Sequence, residues 1–189
     1  MREFIYKVAK RFLTWVGDIM VATEPPKTKA EQILQMTYII EPGDIICRQY
    51  NYYLDSYLIP GSYSHSGIVL SKDEIVHSIA EGVQFVHPID FVKDTDGFII
   101  VRPDYPTLGF RTKAIEKAIF HVNNKAQYDF LFDDPDKFYC HELTCDCLAE
   151  GDVIVTPSTF KMGFFPIRFQ KTAYLASDII KVCKEVYKF

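Results

Sequence analysis

The sequence predicts an α+β fold in which antiparallel strands are flanked by helices. Three observations support this prediction. The chain has 189 residues, 48% of them hydrophobic, which suits a single domain (residues 1–189) with a sizeable core. Short apolar stretches separated by short polar gaps occupy the middle of the chain, as is typical of antiparallel strands. Apolar residues recur at helical spacing before and after this region.

Residues 1–36 are predicted to form a helical segment. In residues 3–21, apolar side chains repeat with a helical period and basic side chains occupy the other side. Glu24-Pro25-Pro26 ends this helix, and residues 27–36 are expected to form a short second one. The first helix suits packing on the domain. Its Trp, Phe and basic side chains equally suit a peripheral membrane contact through residues 3–21.

The strands are predicted between residues 44 and 102, after the turn signal Glu41-Pro42-Gly43. They comprise residues 44–50, 66–70, 74–80, 83–87 and 97–102. Short polar gaps between the last four predict an antiparallel meander.

The second half of the chain is predicted to be mainly helical. Helices are expected over residues 110–124, 139–149 and 174–187, with a strand over residues 152–155. Residues 151–189 would therefore add a C-terminal strand and helix to the domain.

His65 and His77 are predicted to lie on one face of a hairpin that turns at residues 71–73. A tight turn there places Gly67 opposite His77, and a two-residue slip would place His65 opposite His77. Both registers leave the two imidazoles on the same face, because side chains alternate along a strand. An odd-numbered slip would separate them.

Cys140 is predicted to lie in the first turn of the helix over residues 139–149. Free backbone amides and the positive end of the helix dipole stabilise a thiolate there, and the same amides can hold an oxyanion. A thiol hydrolase needs a thiolate, an imidazole base and a group that orients the imidazole. Cys140, His65 and His77 are the candidates. A structural cysteine is the alternative for Cys140, and this interpretation is favoured for Cys145, Cys147 and Cys183.

Several other functions are not predicted. The spacing of Cys140, His141, Cys145 and Cys147 does not match common structural zinc sites, so neither a metal nor another cofactor is expected. The net charge is −4 with no basic stripe, which argues against nucleic acid as a partner. Five unevenly spaced cysteines, no clean signal peptide and no long apolar run favour a cytoplasmic protein.

Several segments, in their order along the chain, resemble the permuted branch of the NlpC-like papain-fold cysteine peptidases, of the YiiX/YaeF type. This wider group includes the lecithin–retinol acyltransferase-like enzymes. The resemblance covers about residues 40–150 and places histidine before cysteine, the reverse of papain. The matching segments are Pro42-Gly43-Asp44-Ile45, HSGIVL from His65, IVHSIAEGV (75–83), YDFLF (128–132) and FYCHEL (138–143).

The resemblance implies a papain-like, circularly permuted antiparallel barrel or curved sheet with the nucleophile helix packed against it. Cys140 would be the nucleophile and His65 the base. The third position falls at His77, where many YiiX-like members have an acid and the acyltransferase-like enzymes have a second histidine. His141 replaces the usual serine after the nucleophile, and Glu142 matches a glutamate of structural role.

The predicted function is a cysteine amidase or peptidase that cleaves an amide through a Cys140 thioester, with His65 as general base. Peptide-like, cell-wall or lipid-linked amides are all suitable substrates, with contacts expected from Arg48, Tyr128 and Tyr139. A thiol acyltransferase or phospholipase and a non-catalytic binding module are the alternatives. His87 and His121 are expected to be ordinary, with His121 on the exposed side of its helix.

Overall fold

A computed structural model describes residues 7–8, 10–12, 14–15, 19, 24–51, 61–130, 132, 134–162 and 169–189. It confirms the α+β class. The strands are β1 (Ile45–Gln49), β2 (His65–Val69), β3 (Ile75–Ile79), β4 (Gly82–Val86), β5 (Gly97–Pro103), β6 (Ser158–Met162), β7 (Phe169–Ala173) and β8 (Cys183–Lys188). The helices are α1 (Ala30–Ile39), α2 (Pro88–Val92), α3 (Leu108–Asn123), α4 (Cys140–Glu150) and α5 (Ala176–Val182).

Six strands form one open antiparallel sheet in the order β4-β3-β2-β1-β5-β8, so the curved-sheet form of the prediction is the correct one. Strands β6 and β7 form a separate hairpin. Ile and Val dominate the central strands, and such β-branched side chains fit a pleated surface buried on both sides.

The two faces of the sheet carry separate apolar clusters because side chains alternate along each strand. On the α4 face, Ile68 and Val76 pack with residues of α3, α4 and α5. On the α2 face, Val69 and Ile75 pack with Met36 of α1 and with residues of α2. A functional group on β2 can therefore face either layer.

The predicted hairpin register is confirmed. Gly67 lies opposite His77, and the turn closes with a hydrogen bond from Leu70 N to Glu74 O of 2.9 Å. The predicted meander is correct for β2, β3 and β4 but wrong for β5. Helix α2 follows β4 directly and carries the chain across the sheet, past β3 and β2, so that β5 pairs with β1 instead of with β4.

The C-terminal predictions are partly wrong. Residues 152–155 follow the end of α4 without forming a strand. The predicted helix over residues 174–187 ends at Val182, and the chain continues as β8 along the edge of β5. Two interactions explain this change: β8 hydrogen-bonds the free edge of β5, and the rings of Tyr187 and Phe98 pack at 5.6 Å.

The described residues between 7 and 15 are helical, and the rest of the helix predicted over residues 3–21 lies outside the described residues, apart from Ile19. None of the helices in the described ranges combines the length and the hydropathy that crossing a bilayer requires.

Candidate active site

Cys140 is the first residue of α4, and its thiol lies against the start of β2. The N-cap residue Tyr139 is extended, with φ −78° and ψ 169°, so the helix begins at the cysteine. The side chain is 4% exposed. Cys140 Sγ donates to the carbonyl oxygen of Ser64 at 3.8 Å. The nucleophile candidate therefore contacts the backbone immediately before His65.

The environment of Cys140 does not produce the stabilised thiolate expected from the helix N-terminus. Burial raises the pKa of the thiol to about 11. The backbone N–H groups of Ser66 and His141 and the charge of Arg48 lower this pKa, but desolvation outweighs them. The resting form at neutral pH is therefore the thiol.

Ser66 fastens the first turn of α4 to β2. Its fully buried hydroxyl lies 2.8 Å from His141 Nδ1, 3.0 Å from Thr144 Oγ1 and 3.3 Å from the Cys140 carbonyl oxygen. Burial lowers the pKa of His141 to about 4, so its imidazole is neutral at pH 7 and serves as a hydrogen-bonding partner. The histidine that replaces the usual serine thus fixes the nucleophile helix.

His65 and His77 lie together on the α2 face. His65 Nε2 is 3.0 Å from His77 Nδ1, and the two rings are nearly perpendicular, at 82°. Burial and, next, the charge of Arg48 lower both imidazole pKa values, that of His77 to about 3. Both rings are therefore neutral at neutral pH.

Gln84 continues this pair on the neighbouring strand. It lies opposite His77 in the β3–β4 register, with its amide nitrogen placed 3.5 Å from His77 Nε2. With its amide turned so that the oxygen points inward, Gln84 accepts a hydrogen bond from the N–H at Nε2 of His77. Gln84 was not predicted as a site residue, although the two-residue turn before β4 implies this register.

The ring of Phe91, in α2, packs against both histidines on the α2 face of the sheet. Its fully buried ring lies 5.5 Å from the His65 ring and 5.6 Å from the His77 ring. The Arg48 guanidinium lies 4.3 Å from the centre of the same ring, and its Nη1 donates to the Phe91 carbonyl at 2.6 Å. Arg48 is also the partner of His65 in the β1–β2 register. Nothing in the local sequence around Phe91 indicated this role.

The two tyrosines that were predicted to contact substrate differ in their surroundings. Tyr139 is 5% exposed, and its hydroxyl accepts from Tyr174 N at 2.6 Å, which argues against a substrate contact. Tyr128 is half-buried, with its ring 4.7 Å from Phe130. The third predicted contact, Arg48, extends over the Phe91 ring.

His87 and His121 lie outside the cluster around Cys140. His87 caps α2 by accepting from Ile89 N at 3.2 Å. The prediction that His121 is exposed was wrong, because its side chain is buried between α3 and α4, with Nε2 2.6 Å from Asp146 Oδ2.

The structure thus brings the two histidines together and brings the thiol to the backbone beside His65. Within the described part of the chain, the hydrogen-bond partner of the thiol is the Ser64 carbonyl rather than an imidazole nitrogen. The same part of the chain contains no group of three or more His, Cys, Asp or Glu side chains arranged to hold a metal ion.

A cysteine at the start of a helix that packs on an antiparallel sheet is the arrangement expected of a papain-like hydrolase. The chain belongs to the permuted papain-like amidase family of YaeF and YiiX, the C92 peptidase family, whose model matches residues 39–180. This match confirms the predicted resemblance and the predicted enzyme class.

Among solved structures, the chain is similar to the metalloprotein YiiX from Escherichia coli O157:H7. The TM-score is 0.64 at 15% sequence identity, and the similarity covers 80% of this chain and 98% of YiiX. At this identity the likeness shows a shared fold. No curated protein matches the sequence.

Proposed function

We propose that the protein hydrolyses an amide bond, with Cys140 as nucleophile and His65 as general base. The main support is the position of the Cys140 thiol, 3.8 Å from the carbonyl of the residue before His65. Family membership supports the amide as the bond that is cleaved. Peptide-like, cell-wall and lipid-linked amides all remain within the proposal.

The His65–His77 contact assigns a role to each ring nitrogen. Because Nε2 of His65 faces His77, Nδ1 is the nitrogen left for the thiol proton. A neutral His65 with its proton on Nε2 donates to Nδ1 of His77. His77 then carries its own proton on Nε2, toward Gln84. His77 orients the base, with Gln84 behind it.

The raised pKa of Cys140 favours proton transfer during attack over a preformed thiolate. Because the thiol and the His65 imidazole belong to opposite faces of the sheet, the Cys140 side chain must leave the Ser64 carbonyl and meet Nδ1 of His65 around the start of β2. Sulfur then bonds to the substrate carbonyl carbon as its proton passes to Nδ1. The resulting oxyanion accepts hydrogen bonds from backbone N–H groups at the start of α4.

Collapse of this intermediate breaks the C–N bond, and the amine departs with the proton that His65 took up. A thioester of Cys140 remains. His65, neutral again, removes a proton from water as the water oxygen attacks the thioester carbon. Release of the carboxylic acid returns the proton to sulfur.

Mass spectrometry of the protein after reaction with a peptide-like chloromethyl ketone tests the nucleophile. We expect one adduct, on Cys140, and no adduct there in Cys140→Ala. Cys145→Ala is the matched control, since Cys145 is equally buried on the same helix. Labelling and amide hydrolysis that survive in Cys140→Ala, or that disappear equally in Cys145→Ala, would contradict the proposal.

A second candidate is transfer of the acyl group, or its removal from a phospholipid. The pairing of His65 with a second histidine favours it, because the acyltransferase-like relatives resemble the chain at this position. The chemistry is the same up to the thioester. Adding a primary amine to the reaction distinguishes the two, because an acyltransferase forms a new amide and a hydrolase forms only the acid.

A further inference from the structure

The helical segment around residues 7–15 exposes an apolar stripe. Val8 is 51% exposed, Phe12 59% and Trp15 63%. Positions 8, 12 and 15 lie within about 60° of one another around an α-helix. The rings of Phe12 and Trp15 are 6.3 Å apart, so they form one continuous patch.

Three cations lie on the same segment: Lys7, Lys10 and Arg11. This cluster contrasts with the whole chain, whose net charge is −4. Helical spacing places Lys7 and Arg11 beside the apolar stripe and Lys10 farther around the helix. An apolar stripe bordered by cations matches a helix that lies in the plane of a membrane.

The segment lies at the same end of the sheet as His65. The three cations, Thr14 and Trp15 line a cleft of about 560 Å³ together with Glu81. Glu81 belongs to the turn between β3 and β4. Antiparallel pairing puts the end of β3 beside the start of β2, where His65 lies.

We propose that this face, formed by Lys7, Val8, Arg11, Phe12 and Trp15, binds an anionic membrane surface. Phe12 and Trp15 enter the boundary between headgroups and acyl chains, and the cations meet the lipid phosphates. Charge selects this partner over a second copy of the chain, because pairing the face with itself would oppose two sets of cations. The proposal does not depend on the thiol chemistry, although it would bring the His65 end of the sheet close to membrane-held substrates.

Trp15 is the only tryptophan in the chain, so its intrinsic fluorescence reports on this face alone. We expect phosphatidylcholine vesicles containing phosphatidylglycerol to shift the emission to shorter wavelength and to co-sediment with the protein. Pure phosphatidylcholine vesicles should bind much less. Binding should weaken at high salt, because the Debye length falls from about 10 Å at 0.1 M to about 3 Å at 1 M.

Neutralising the cations tests the charge contribution. In a Lys7→Gln, Arg11→Gln variant, affinity for the anionic vesicles should fall about twenty-five-fold, since each basic side chain near an anionic leaflet contributes a factor of about five. Phe12→Ser with Trp15→Ser should also abolish co-sedimentation.

The matched control is Leu34→Ser with Tyr38→Ser on α1. These side chains are 55% and 76% exposed and lie four residues apart on one side of their helix, and α1 contains no Lys or Arg. This variant should bind vesicles as the wild type does. Cys140→Ala should also bind normally while losing hydrolysis, which separates this proposal from the catalytic one.

Three results would overturn the membrane proposal. One is the absence of an emission shift and of co-sedimentation with anionic vesicles. Another is equal binding to both kinds of vesicle, since charge would then play no part. The third is a lipid-free, concentration-dependent emission shift with dimer formation, which would assign the face to a second copy of the chain.

Discussion

The two faces of the sheet hold the candidate catalytic groups by different means. On the α4 face, the first turn of the nucleophile helix is held by hydrogen bonds, through Ser66 to His141 and Thr144. On the α2 face, His65 and His77 rest against the ring of Phe91 and share one hydrogen bond. Strand β2 supplies both faces, because Ser66 and His65 are neighbours that point in opposite directions.

This difference predicts a division of roles between the two faces of the sheet. Hydrogen bonds fix direction and leave costly unpaired groups when they are broken, so the α4 face should govern stability. Ring packing encloses the imidazoles and keeps them uncharged, so the α2 face should govern basicity and proton transfer. Substitutions on each face should therefore move different measurements.

Among the substitutions that test this division, removal of the proposed base should have the largest effect on activity. We expect His65→Ala to lower kcat/KM for amide hydrolysis by about a thousandfold, within the usual contribution of a general base. The thermal midpoint should fall less than when a fully buried partner such as Ser66 is removed, because His65 lies at the start of its strand and is partly exposed, so water can replace its hydrogen bond to His77. The rate of substrate hydrolysis and a thermal melt provide the two readouts.

His87→Ala is the control for this change, since His87 caps α2 away from the thiol. It should hydrolyse substrate at the wild-type rate. Activity in His65→Ala within about tenfold of wild type would show that this imidazole is not the base.

The rate at which Cys140 is alkylated shows whether burial or the helix dipole has the larger effect on the pKa of its thiol. Burial raises the thiol pKa to about 11, so the reactive thiolate is a minor species at neutral pH. Below that pKa, the rate of reaction with iodoacetamide should rise about tenfold per pH unit, or about a hundredfold over two units. Peptide mass spectrometry can follow Cys140 alone.

At neutral pH the folded protein should also react more slowly at Cys140 than the urea-unfolded chain does. A rate that has already levelled off at neutral pH would mean that backbone amides and Arg48 outweigh burial. The α4 face would then control basicity as well as position.

The parts of the site that the sequence predicted depend on local pattern. The tight turn at residues 71–73 determines the His65–His77 register, and a turn-rich stretch before Cys140 marks the helix start. Both features require only neighbouring residues, so the sequence was enough to predict them.

The features that were missed depend on distant segments. Residues 183–188 form a strand because β5 presents a free edge, and Phe91 reaches the histidines because α2 folds across the sheet. The direction of the Cys140 pKa shift was missed for the same reason, since burial depends on how the whole domain packs. The sequence pattern of a helix start predicts only the effects of the helix dipole and of the free backbone amides on the thiol pKa.

Replacing Phe91 should separate packing from catalysis on the α2 face. We expect Phe91→Leu to lower kcat by about tenfold with little change in KM, because the two imidazoles and Arg48 lose their shared surface. The unfolding free energy should fall by about 1–3 kcal/mol. In kinetics at several pH values, the pH at which activity falls on the acidic side of the profile should also shift, since the surroundings of both imidazole rings change.

Phe98→Leu is the matched control, because Phe98 is equally buried in the same cluster and its ring packs on Tyr187 and Phe189. It should cost similar stability and leave kcat unchanged. Equal losses of kcat in both variants would mean that Phe91 acts only through stability.

Ser66→Ala should have the smallest effect on catalysis and a clear effect on stability. Without the hydroxyl, His141 loses its Nδ1 partner in the interior, and its Nε2 already lacks a partner among the described residues. The unfolding free energy should therefore fall by about 1–3 kcal/mol in a urea titration. Activity below the transition should stay within about threefold of wild type, because Thr144 still donates to the Cys140 carbonyl at 3.0 Å.

Ser177→Ala, at an exposed position in the first turn of α5, is the control and should leave both measurements unchanged. If Ser66→Ala instead lost activity as severely as His65→Ala while keeping its stability, the division between the faces would fail. The hydrogen bonds of the α4 face would then position sulfur closely enough to set the rate. Because Ser66 N–H also lowers the Cys140 pKa through the backbone, which the substitution keeps, such a loss would be attributable to the side chain alone.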